Sequence, residues 1–550
     1  MINQSKIRSA NVRNELERAA WPVLTGAQVA ALCAYGQARN VAEGEVFFDV
    51  GQPNYDLIYL KSGALDIVDR GDDRVVVRIQ APNFSGELGL LMGQGTFQAG
   101  VAAERSQVVV VSQAAVRELV ATEPELGSLI VSALVARRRL LIEWGEGGLT
   151  LIGPEDDPHA LTLRSFATRN RLPHRFIDLA DQEAATAAAG SLSLPETGTL
   201  AITGRSAALV NPTPQQLAQA LGLDLPLGGD TFFDVLVVGA GPAGLAAAVY
   251  AASEGLSTLV VEDTAIGGQA GTSSWIENYL GFSTGVSGAE LAFQGQIQAI
   301  KFGAKFTAPR RATRLERRAD GAFDVTLDDG RMTAARTVIL ANGVQYRRLP
   351  LERLPDFEGA GVYYAATELE ARRCRETDAV IVGGGNSAGQ AAMYLSRTAR
   401  HTHLLVRGAG LAATMSNYLS ERIERHPAIT LHPYSEIVAL HGDAALEAVT
   451  VRDVRGKTET RLDTRALFIM IGAAPNTDWL RGQVALDDKG FIVNGDGGVP
   501  FATSLPGVYA VGDIRAGSVK RVASAVGEGS VVISAVHAYL AEAQAERTRA

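Results

Sequence analysis

Two glycine-rich segments constrain the fold of this chain more than any other feature. Each follows a short apolar strand pattern and precedes an alanine-bearing helix pattern. Glycine at such a junction lets the chain turn sharply and brings backbone N–H groups against a pyrophosphate at the helix N-terminus. The glycines are Gly239, Gly241 and Gly244 in the first segment and Gly383 and Gly385 in the second, which begins 144 residues later. The repeated pattern predicts two α/β dinucleotide-binding units.

The residue that ends the second strand of each unit predicts which nucleotide is bound. Glu262 stands eighteen residues after Gly244, which is close to the spacing expected for a carboxylate on a ribose hydroxyl. Arg407 follows the second strand of the second unit, where a guanidinium favours the 2′-phosphate of NADPH over NADH. Two dinucleotides on one polypeptide imply hydride passage from a nicotinamide to a flavin. We therefore expect FAD in the first unit and NADPH, or alternatively NADH, in the second.

Composition excludes several other classes of protein. The chain has 550 residues and a net charge of −9, which argues against nucleic acid or an anionic membrane as the main partner. Only two cysteines are present, Cys33 and Cys374, which excludes a disulfide-stapled secreted scaffold and favours the cytoplasm. No histidine or cysteine spacing typical of a metal site occurs, so no metal is expected.

The preceding sequence predicts two further domains. Short apolar strands with glycine turns, between helical patterns at 27–37 and 114–142, predict a β-roll with flanking helices. Its basic run, residues 137–139, is expected on a solvated helix face. An alternation of strand and helix then predicts an α/β sandwich. The predicted boundaries are 1–146 for the roll, 147–229 for the sandwich and a linker, 230–349 and 465–550 for the FAD unit, and 350–464 for the NAD(P) unit.

The stretch from about 233 to 540 resembles the low-molecular-weight thioredoxin reductase group of flavoproteins. The motifs that carry the resemblance are Gly267-Gly268-Gln269, Glu277-Asn278-Tyr279, a strand ending in Ala341-Asn342-Gly343, and Gly512-Asp513 followed by Lys520-Arg521. The resemblance implies an FAD domain interrupted by an NAD(P) domain, and a homodimer. The FAD-binding residues it implies, with the glycine turn, are Gly239, Gly241, Ala243, Gly244, Glu262, Gly268, Gln269, Asn278, Ala341, Gly343, Gly512, Asp513 and Arg521. The implied NAD(P)-binding residues are Gly383, Gly385, Asn386, Ser387 and Arg407.

The cysteine pair of the disulfide reductases in that group is missing. Ala365 and Glu368 stand where its two cysteines would fall. Because such an enzyme passes electrons from the flavin to its own disulfide, we expect the reduced flavin to act directly on an external small-molecule or protein acceptor. Glu368 is a candidate proton donor. Alternatively, Cys374 or thiols of a partner support a thioredoxin-disulfide reductase activity.

The two leading domains carry resemblances of their own. Residues 84–91, FSGELGLL, are similar to the phosphate-binding cassette of cyclic-nucleotide-binding domains. Phe97 stands where that family places the arginine that pairs with the cyclic phosphate, and a ring cannot supply that contact. A cyclic nucleotide is therefore disfavoured as a ligand, although a cyclic-nucleotide-responsive signalling flavoprotein or pseudoenzyme stays open as a third reading. The middle segment resembles a thioredoxin or glutaredoxin fold by its element order, again without redox thiols.

Overall fold

The computed structural model describes residues 8–9, 15–52, 55–71, 73–203, 208–225, 227–228, 231–273, 276–358, 360–364, 366, 368–412, 415–495 and 498–549. The described strands form six sheets. Within these ranges no helix is both long and apolar enough to cross a membrane.

The N-terminal region is a roll of two sheets. Its strands are β1 (Arg8–Ser9), β2 (Gln37–Val41), β3 (Val46–Phe48), β4 (Leu57–Ser62), β5 (Ala64–Asp69), β6 (Arg74–Gln80), β7 (Asn83–Phe84), β8 (Ala99–Ala102) and β9 (Ser106–Val111). They pair in the orders β1-β6-β5-β8-β3 and β2-β9-β4-β7. Its helices are α1 (Glu15–Ala20), α2 (Gly26–Ala34), α3 (Gly89–Met92), α4 (Gln113–Thr122) and α5 (Pro124–Trp144).

Helix α5 contradicts the expectation of a solvated basic face. Arg137 and Arg138 are only 6% and 1% exposed. Arg137 donates to the carbonyls of Ala20 and Gly86, and Arg138 donates to Glu87. The prediction is wrong for these two residues because α5 packs against the roll along this side, so that the charges are buried with partners from α1 and the cassette.

The middle region is a four-stranded sheet with helices. Its elements are β10 (Leu149–Gly153), α6 (Pro158–Arg169), β11 (His174–Asp178), α7 (Gln182–Ala189), β12 (Leu200–Thr203), β13 (Ala208–Val210) and α8 (Pro214–Ala220). The strand order is β11-β10-β12-β13, with β10 and β11 parallel and the other two pairs antiparallel. This agrees with the predicted α/β sandwich and adds α7 and β13, while the thioredoxin-like classification stays a prediction.

The unit predicted to bind FAD, called the flavin half below, is built from two separated stretches of chain. Its first stretch contains β14 (Phe232–Val238), α9 (Pro242–Ser253), β15 (Thr258–Val261), α10 (Gly288–Lys301), β16 (Lys305–Thr307), β17 (Ala312–Arg317), β18 (Phe323–Leu327) and β19 (Met332–Leu340). After β20 (Val344–Tyr346) and α11 (Leu354–Phe357) the chain enters the unit predicted to bind NAD(P), called the nicotinamide half below. It returns through β28 (Ala473–Pro475), β29 (Val508–Ala510) and α15 (Val522–Arg549). Strand β29 pairs with β19, which joins the returning chain to the first sheet.

The nicotinamide half repeats the strand-turn-helix plan. Its elements are β21 (Val362–Tyr363), α12 (Glu368–Arg373), β22 (Asp378–Val382), α13 (Asn386–Leu395), β23 (Thr402–Leu405), α14 (Asn417–Glu424), β24 (Ile429–His432), β25 (Ser435–His441), β26 (Ala448–Asp453) and β27 (Glu459–Ile469). The predicted boundary between 464 and 465 falls inside β27, which pairs with β22 as far as Ile469. The sheet therefore continues five residues past that boundary, because the last residues of β27 are apolar and buried.

The roll packs against both later regions. Glu290 on α10 forms ion pairs with Arg139 on α5 and Arg171 of the middle region. Phe293 on α10 is buried in the same apolar cluster as the cassette leucines. Phe97 of the roll packs with the core of the middle sheet. The contacts of Glu290 and Phe293 connect the roll to α10, which packs against α9, the helix that follows the first glycine turn.

Candidate functional site

The first glycine turn brings two loops of the flavin half into close contact. Gly239 has φ +103°, and a Cβ there would lie 2.4 Å from the carbonyl oxygen of Ala341. A Cβ on Gly244 would lie 1.9 Å from the oxygen of Gly239. A Cβ on Gly241, in contrast, would meet no atom within 4 Å. The turn is therefore tightly packed at Gly239 and Gly244 and open at Gly241, where α9 begins. The first backbone N–H groups of a helix have no hydrogen-bond partner within that helix.

Glu262 lies directly after β15 and contacts this turn. Its carboxylate accepts the N–H of Ala240 at 2.7 Å and that of Thr264 at 3.1 Å. Burial is the main cause that raises its pKa above the ordinary glutamate value, and Asp263 adds to the effect. Each carboxylate oxygen keeps a second lone pair. The side chain is thus positioned at the turn and retains capacity for a ligand hydroxyl.

The segment after Glu262 contacts the turn at Ala240 and Gly241. Gly267 donates its N–H to the oxygen of Ala240, and a Cβ on Gly268 would lie 3.1 Å from the Cα of Gly241. Gln269 donates its side-chain amide to the oxygen of Val344. Gly268 and Gln269 therefore lie beside the cradle formed by the turn, as the resemblance implies. Asn278 is solvent-exposed.

The segment by which the chain leaves the flavin half and the segment by which it returns meet next to the cradle. Ala341 donates its N–H to Val238, and Gly343 accepts the N–H of Asn476. The side chains of Asn342 and Asn476 each donate to the other's backbone oxygen, at 2.6 and 2.7 Å. The Oδ1 atom of Asn342 is buried and has no hydrogen-bond partner within the described residues. This amide pair fixes the outgoing strand β20 beside the returning strand β28.

Gly512 and Asp513 close the cradle from the returning chain. Gly512 donates its N–H to Glu528 on α15 at 2.6 Å, and a Cβ on Gly512 would lie 2.9 Å from the Cβ of Ala243. Glu528 also pairs with Arg515, so this contact is held by a nearly buried ion pair. The Asp513 carboxylate forms no hydrogen bond in the part of the chain that the structure describes. Burial raises its pKa, which the nearby Lys520 opposes.

These residues fit a flavin dinucleotide. The open N-terminus of α9 suits a pyrophosphate, Glu262 suits a ribose, and the Asp513 carboxylate and the Asn342 oxygen leave acceptors unused. Arg521 is exposed where α15 begins. The cradle therefore fits a dinucleotide, and FAD is the dinucleotide that the sequence predicts for it.

The second glycine turn repeats the backbone of the first. Gly383 has φ +149°, and a Cβ there would lie 2.2 Å from the oxygen of Met470. A Cβ on Gly385 would meet nothing within 4 Å. Asn386 begins α13 and accepts the N–H of Ser416, while Ser387 is exposed beside it. The cradle is again closed at its base and open where the helix begins.

The end of β23 differs from that of β15. Arg407 is solvent-exposed and forms no hydrogen bond or ion pair with any residue that the structure describes. The space around Gly408 and Gly410 is open, since a Cβ on either would meet nothing within 4 Å. A free guanidinium beside an open backbone fits the phosphate of a dinucleotide.

Cys374, one of the two residues proposed for catalysis, does not lie in an exposed, polarised environment. Cys374 is fully buried and its thiol donates to the oxygen of Glu370 at 3.2 Å. Burial, with a smaller contribution from Glu370, raises its pKa to about 12, which disfavours the nucleophilic thiolate. Glu368 is the first residue of α12, and its side chain lies outside the described part of the structure, as does Ala365. Cys33 and Cys374 are both free thiols.

The cassette of the roll is occupied by internal contacts. Glu87 is paired with Arg138 at 2.7 Å and accepts the N–H of Gly89. The ring of Phe97 lies 5.1 Å from the guanidinium of Arg138. A Cβ on Gly148 would lie 2.1 Å from the oxygen of Phe97, so this position is closely packed against the middle region. The residue that replaces the expected arginine therefore serves domain packing.

Sequence reasoning missed several residues that shape the cradle. Asn342 and Asn476 form one such pair and are distant in sequence. Arg515 and Glu528 form another and lie outside the motifs named above. Asn342 stood within a motif that the resemblance named, which could have singled it out. No local signal marks Glu528, because its partners lie on the loop before α15 and meet it only in the folded chain.

The structure has two dinucleotide cradles, and the chain passes from the first unit into the second and back again. This arrangement defines a two-domain pyridine nucleotide-linked flavoprotein. In agreement, residues 233–529 match the family described as pyridine nucleotide-disulphide oxidoreductase, and residues 38–123 match the cyclic nucleotide-binding domain. The chain belongs to the pyridine nucleotide-disulphide oxidoreductase family and is an NAD(P)H-dependent flavin oxidoreductase with a domain of the cyclic-nucleotide-binding family at its N-terminal side. The resemblance stated from sequence is confirmed at this level.

Individual relatives cover different parts of the chain. Thioredoxin reductase of Treponema pallidum is 35% identical over 311 residues, which is 56% of this chain and 98% of that protein. A crystal structure of Lactococcus lactis thioredoxin reductase in the FR conformation superposes with a TM-score of 0.53 at 26% identity, covering 56% of this chain and 99% of its own. An NADH dehydrogenase of Bacillus subtilis is 29% identical over 395 residues, 71% of this chain and 75% of that protein. The first two relatives cover 56% of this chain, so the similarity to the Bacillus subtilis protein extends beyond the two dinucleotide-binding units.

Proposed function

We propose that this flavin oxidoreductase oxidises NAD(P)H and delivers the electrons from its flavin directly to an external acceptor, without a redox dithiol of its own. When bound, FAD accepts a hydride from NAD(P)H and supplies electrons to the acceptor. The observation that carries the proposal is the presence of two complete cradles in a chain whose only cysteines are Cys33 and Cys374. The two thiols lie in different domains, and Cys374 is buried.

The first cradle supplies the binding groups for FAD. Gly241 leaves room for the pyrophosphate at the start of α9, and Glu262 is held against the turn by the N–H of Ala240. Asp513 lies on the returning stretch of the chain, and its carboxylate accepts no hydrogen bond from any described residue. We assign it to a hydroxyl of the flavin chain, since a desolvated carboxylate is stabilised by a donor.

The second cradle supplies the binding groups for NAD(P)H. Gly385 opens the start of α13, and Asn386 is oriented by its bond to Ser416. Arg407 carries an uncompensated charge at the end of β23, which supports a preference for NADPH because its guanidinium can pair with a 2′-phosphate. The name of the Bacillus subtilis relative, NADH dehydrogenase, supports NADH instead. Steady-state KM values for both nucleotides decide between them.

A disulfide reductase that works through Cys374 or through thiols of a partner is the second candidate. The printed name of the Treponema pallidum relative, thioredoxin reductase, favours it. Cys374 is a poor internal thiol for that activity, because it is buried and its pKa is raised to about 12. If Cys374→Ala retains full NAD(P)H-dependent disulfide reduction, Cys374 takes no part in the mechanism.

The acceptor class is tested by reduction followed by reoxidation. Purified protein loaded with FAD is mixed anaerobically with NADPH or NADH, and the flavin absorbance near 450 nm is followed. We expect bleaching with at least one nucleotide, then rapid recovery with one member of a panel of oxygen, quinone, ferredoxin and disulfide. Absence of bleaching with both nucleotides contradicts the proposal. Recovery with thioredoxin disulfide alone, dependent on Cys374, replaces it with the second candidate.

A further inference from the structure

A cavity of about 430 Å³ lies where the middle region, the flavin half and the nicotinamide half meet. Its wall in the flavin half is formed by the residues that directly follow Glu262 and by the loop after β16. These residues are Asp263, Thr264, Ala265, Pro309 and Arg311. Pockets for small molecules measure about 300–1,000 Å³, so the cavity has the size of a binding site.

The cavity adjoins the ribose end of the first cradle. Thr264 donates its N–H to the Glu262 carboxylate at 3.1 Å, and Arg310 donates its N–H to the Glu262 backbone oxygen at 2.7 Å. In dinucleotide-binding units the acid at this strand end binds a ribose hydroxyl, while the pyrophosphate lies at the helix N-terminus. The base is bonded to that ribose, so the residues that follow Glu262 lie next to the position of the base.

Another wall of the cavity belongs to the middle region. Helix α6 contributes Thr162, Ser165 and Arg169, and the start of α8 completes this wall. Neither helix lies within the stretches that match a family, 38–123 and 233–529. The middle region therefore adds a wall that the family-matched parts of the chain do not supply.

Ion pairs hold the middle region against the flavin half. Asp224, in the linker after α8, is buried and forms a bidentate pair with Arg310. Its carboxylate also accepts the hydroxyl of Thr307 at 3.1 Å. Arg171, which follows α6, pairs with Glu290 on α10 at 3.2 Å. The middle region is therefore joined to the flavin half at two points.

Arg169 supplies an unused binding group at this wall. Its side chain is half-buried and forms no hydrogen bond or ion pair with any residue that the structure describes. Burial raises the pKa of the Glu262 carboxyl, and the charge of Arg169 opposes that rise, so the guanidinium lies within electrostatic range of the ribose acid. A planar guanidinium stacks on aromatic rings. Arg169 is therefore placed to contact a base attached to that ribose.

The charges of the cavity wall favour a neutral base over a phosphate. Among the described residues, the wall carries the arginines Arg169 and Arg311 and the acids Asp263 and Glu370. Arg311 is already paired with Asp263 at 3.2 Å. The wall therefore has no net positive charge that would attract an anion. A cavity of about 150 Å³ holds benzene, so this larger cavity has room for a purine.

We propose that the middle region binds the adenine end of FAD, with α6 covering the base and the Arg169 guanidinium stacked on it. The inference rests on the proposed binding of FAD in the first cradle. The middle region has no cysteine, and it acquires here the function of retaining the cofactor. Because this wall comes from outside the two dinucleotide units, we expect FAD to bind more tightly than those units alone would allow.

The affinity of flavin-free, full-length protein for FAD tests the inference, with Kd measured by flavin fluorescence. Arg169→Met removes the guanidinium and is expected to raise Kd about ten-fold. Ser165→Trp fills the cavity from α6 and is expected to raise Kd at least about thirty-fold. Arg164→Met is the matched control, because Arg164 also lies on α6 but stacks on Phe176 at 4.1 Å and is not part of the cavity wall. Its Kd is expected to equal that of wild type.

The variants separate failure of this inference from failure of the proposed function. Equal Kd in Arg169→Met and wild type, or in Arg169→Met and Arg164→Met, overturns the inference, and so does an unchanged Kd in Ser165→Trp. Should one of the two cavity variants fail to fold, the other decides. Absence of FAD binding by wild type contradicts the proposed function instead.

Hydrogen–deuterium exchange of the wild-type protein tests the contact without any variant. Addition of FAD is expected to slow exchange in α6 and in residues 263–265. Helix α7 belongs to the same region but contributes no residue to the cavity wall, so its exchange is expected to stay unchanged. No slowing in α6, or equal slowing in α6 and α7, overturns the inference.

Discussion

The two dinucleotide cradles share a backbone and differ in one side chain at a strand end. Gly239 and Gly383 both have positive φ and lie against a neighbouring loop, while Gly241 and Gly385 both face open space. At the end of the second strand, however, Glu262 is buried and bonded to the turn, whereas Arg407 is exposed. The two cradles therefore share the backbone that a dinucleotide of either kind needs, and in our proposal the strand-end residue selects between the dinucleotides.

The largest effect is expected from closing one cradle at a time. Gly239→Ala places a Cβ 2.4 Å from the Ala341 oxygen at φ +103°, so we expect loss of bound flavin. Gly383→Ala makes the equivalent change in the second cradle and should retain the flavin while losing reduction by NAD(P)H. Gly303→Ala is the matched control, because Gly303 has φ +96° and no neighbour within 4 Å. Flavin content is measured by absorbance after gel filtration. Equal flavin loss in Gly239→Ala and Gly383→Ala would show that the cradles are not separate sites.

The next effect tests the acid of the first cradle. Glu262→Gln keeps the shape of the side chain but replaces a carboxylate oxygen that accepts the N–H of Ala240 at 2.7 Å. Loss of a charge-assisted hydrogen bond costs about 1.5–3 kcal/mol, so we expect FAD affinity to fall about 10- to 100-fold. The dissociation constant is measured by flavin fluorescence on reconstitution of flavin-free protein. Unchanged affinity would remove Glu262 from the binding site.

The matching change in the second cradle is smaller because Arg407 is exposed and screened by solvent. Arg407→Ser is expected to raise KM for NADPH about ten-fold and to leave KM for NADH and kcat unchanged. Arg400→Ser serves as control, since Arg400 is also an exposed arginine beside β23 but pairs with Asp378. An equal rise in both KM values would mean that Arg407 does not read the 2′-phosphate.

The smallest effect concerns pH and Asp513. Burial raises the pKa of this carboxyl in the folded, flavin-free protein above its unfolded value of about 3.9. A raised acid pKa means that the folded state binds more protons, so the stability it contributes is present below about pH 3.9 and is lost as pH rises through the folded pKa. Urea unfolding between pH 4 and 7 is expected to show a shallower fall in unfolding free energy for Asp513→Asn than for wild type. Identical slopes would contradict this assignment.

The sequence predicted those parts of the molecule that depend on local physics. The glycine turns, the strands that precede them and the helices that follow all lie where the pattern placed them, because positive φ and close approach are encoded at single residues. The break between α4 and α5 was missed, although Pro124 at the start of α5 was a visible signal.

Other features depend on contacts between distant segments. Burial of Arg137 and Arg138 depends on partners in α1 and the cassette, so a basic run on a helix gave no sign of it. Strand β27 crosses the predicted boundary because its last four residues, which are apolar and buried, pair with β22 as far as Ile469, a partner that the chain meets only on folding. Phe97 was identified as a replacement for an arginine, but its packing against the middle region required the folded chain.

The central claim is that electrons leave the flavin without an internal dithiol, and electron stoichiometry tests it most directly. FAD-loaded protein is titrated anaerobically with the better of NADPH and NADH while the absorbance near 450 nm is recorded. A flavin with no second redox group takes up two electrons, so we predict complete bleaching at one equivalent of nucleotide per flavin and no further consumption. Consumption of a second equivalent, abolished in Cys374→Ala, would show an internal disulfide and contradict the account.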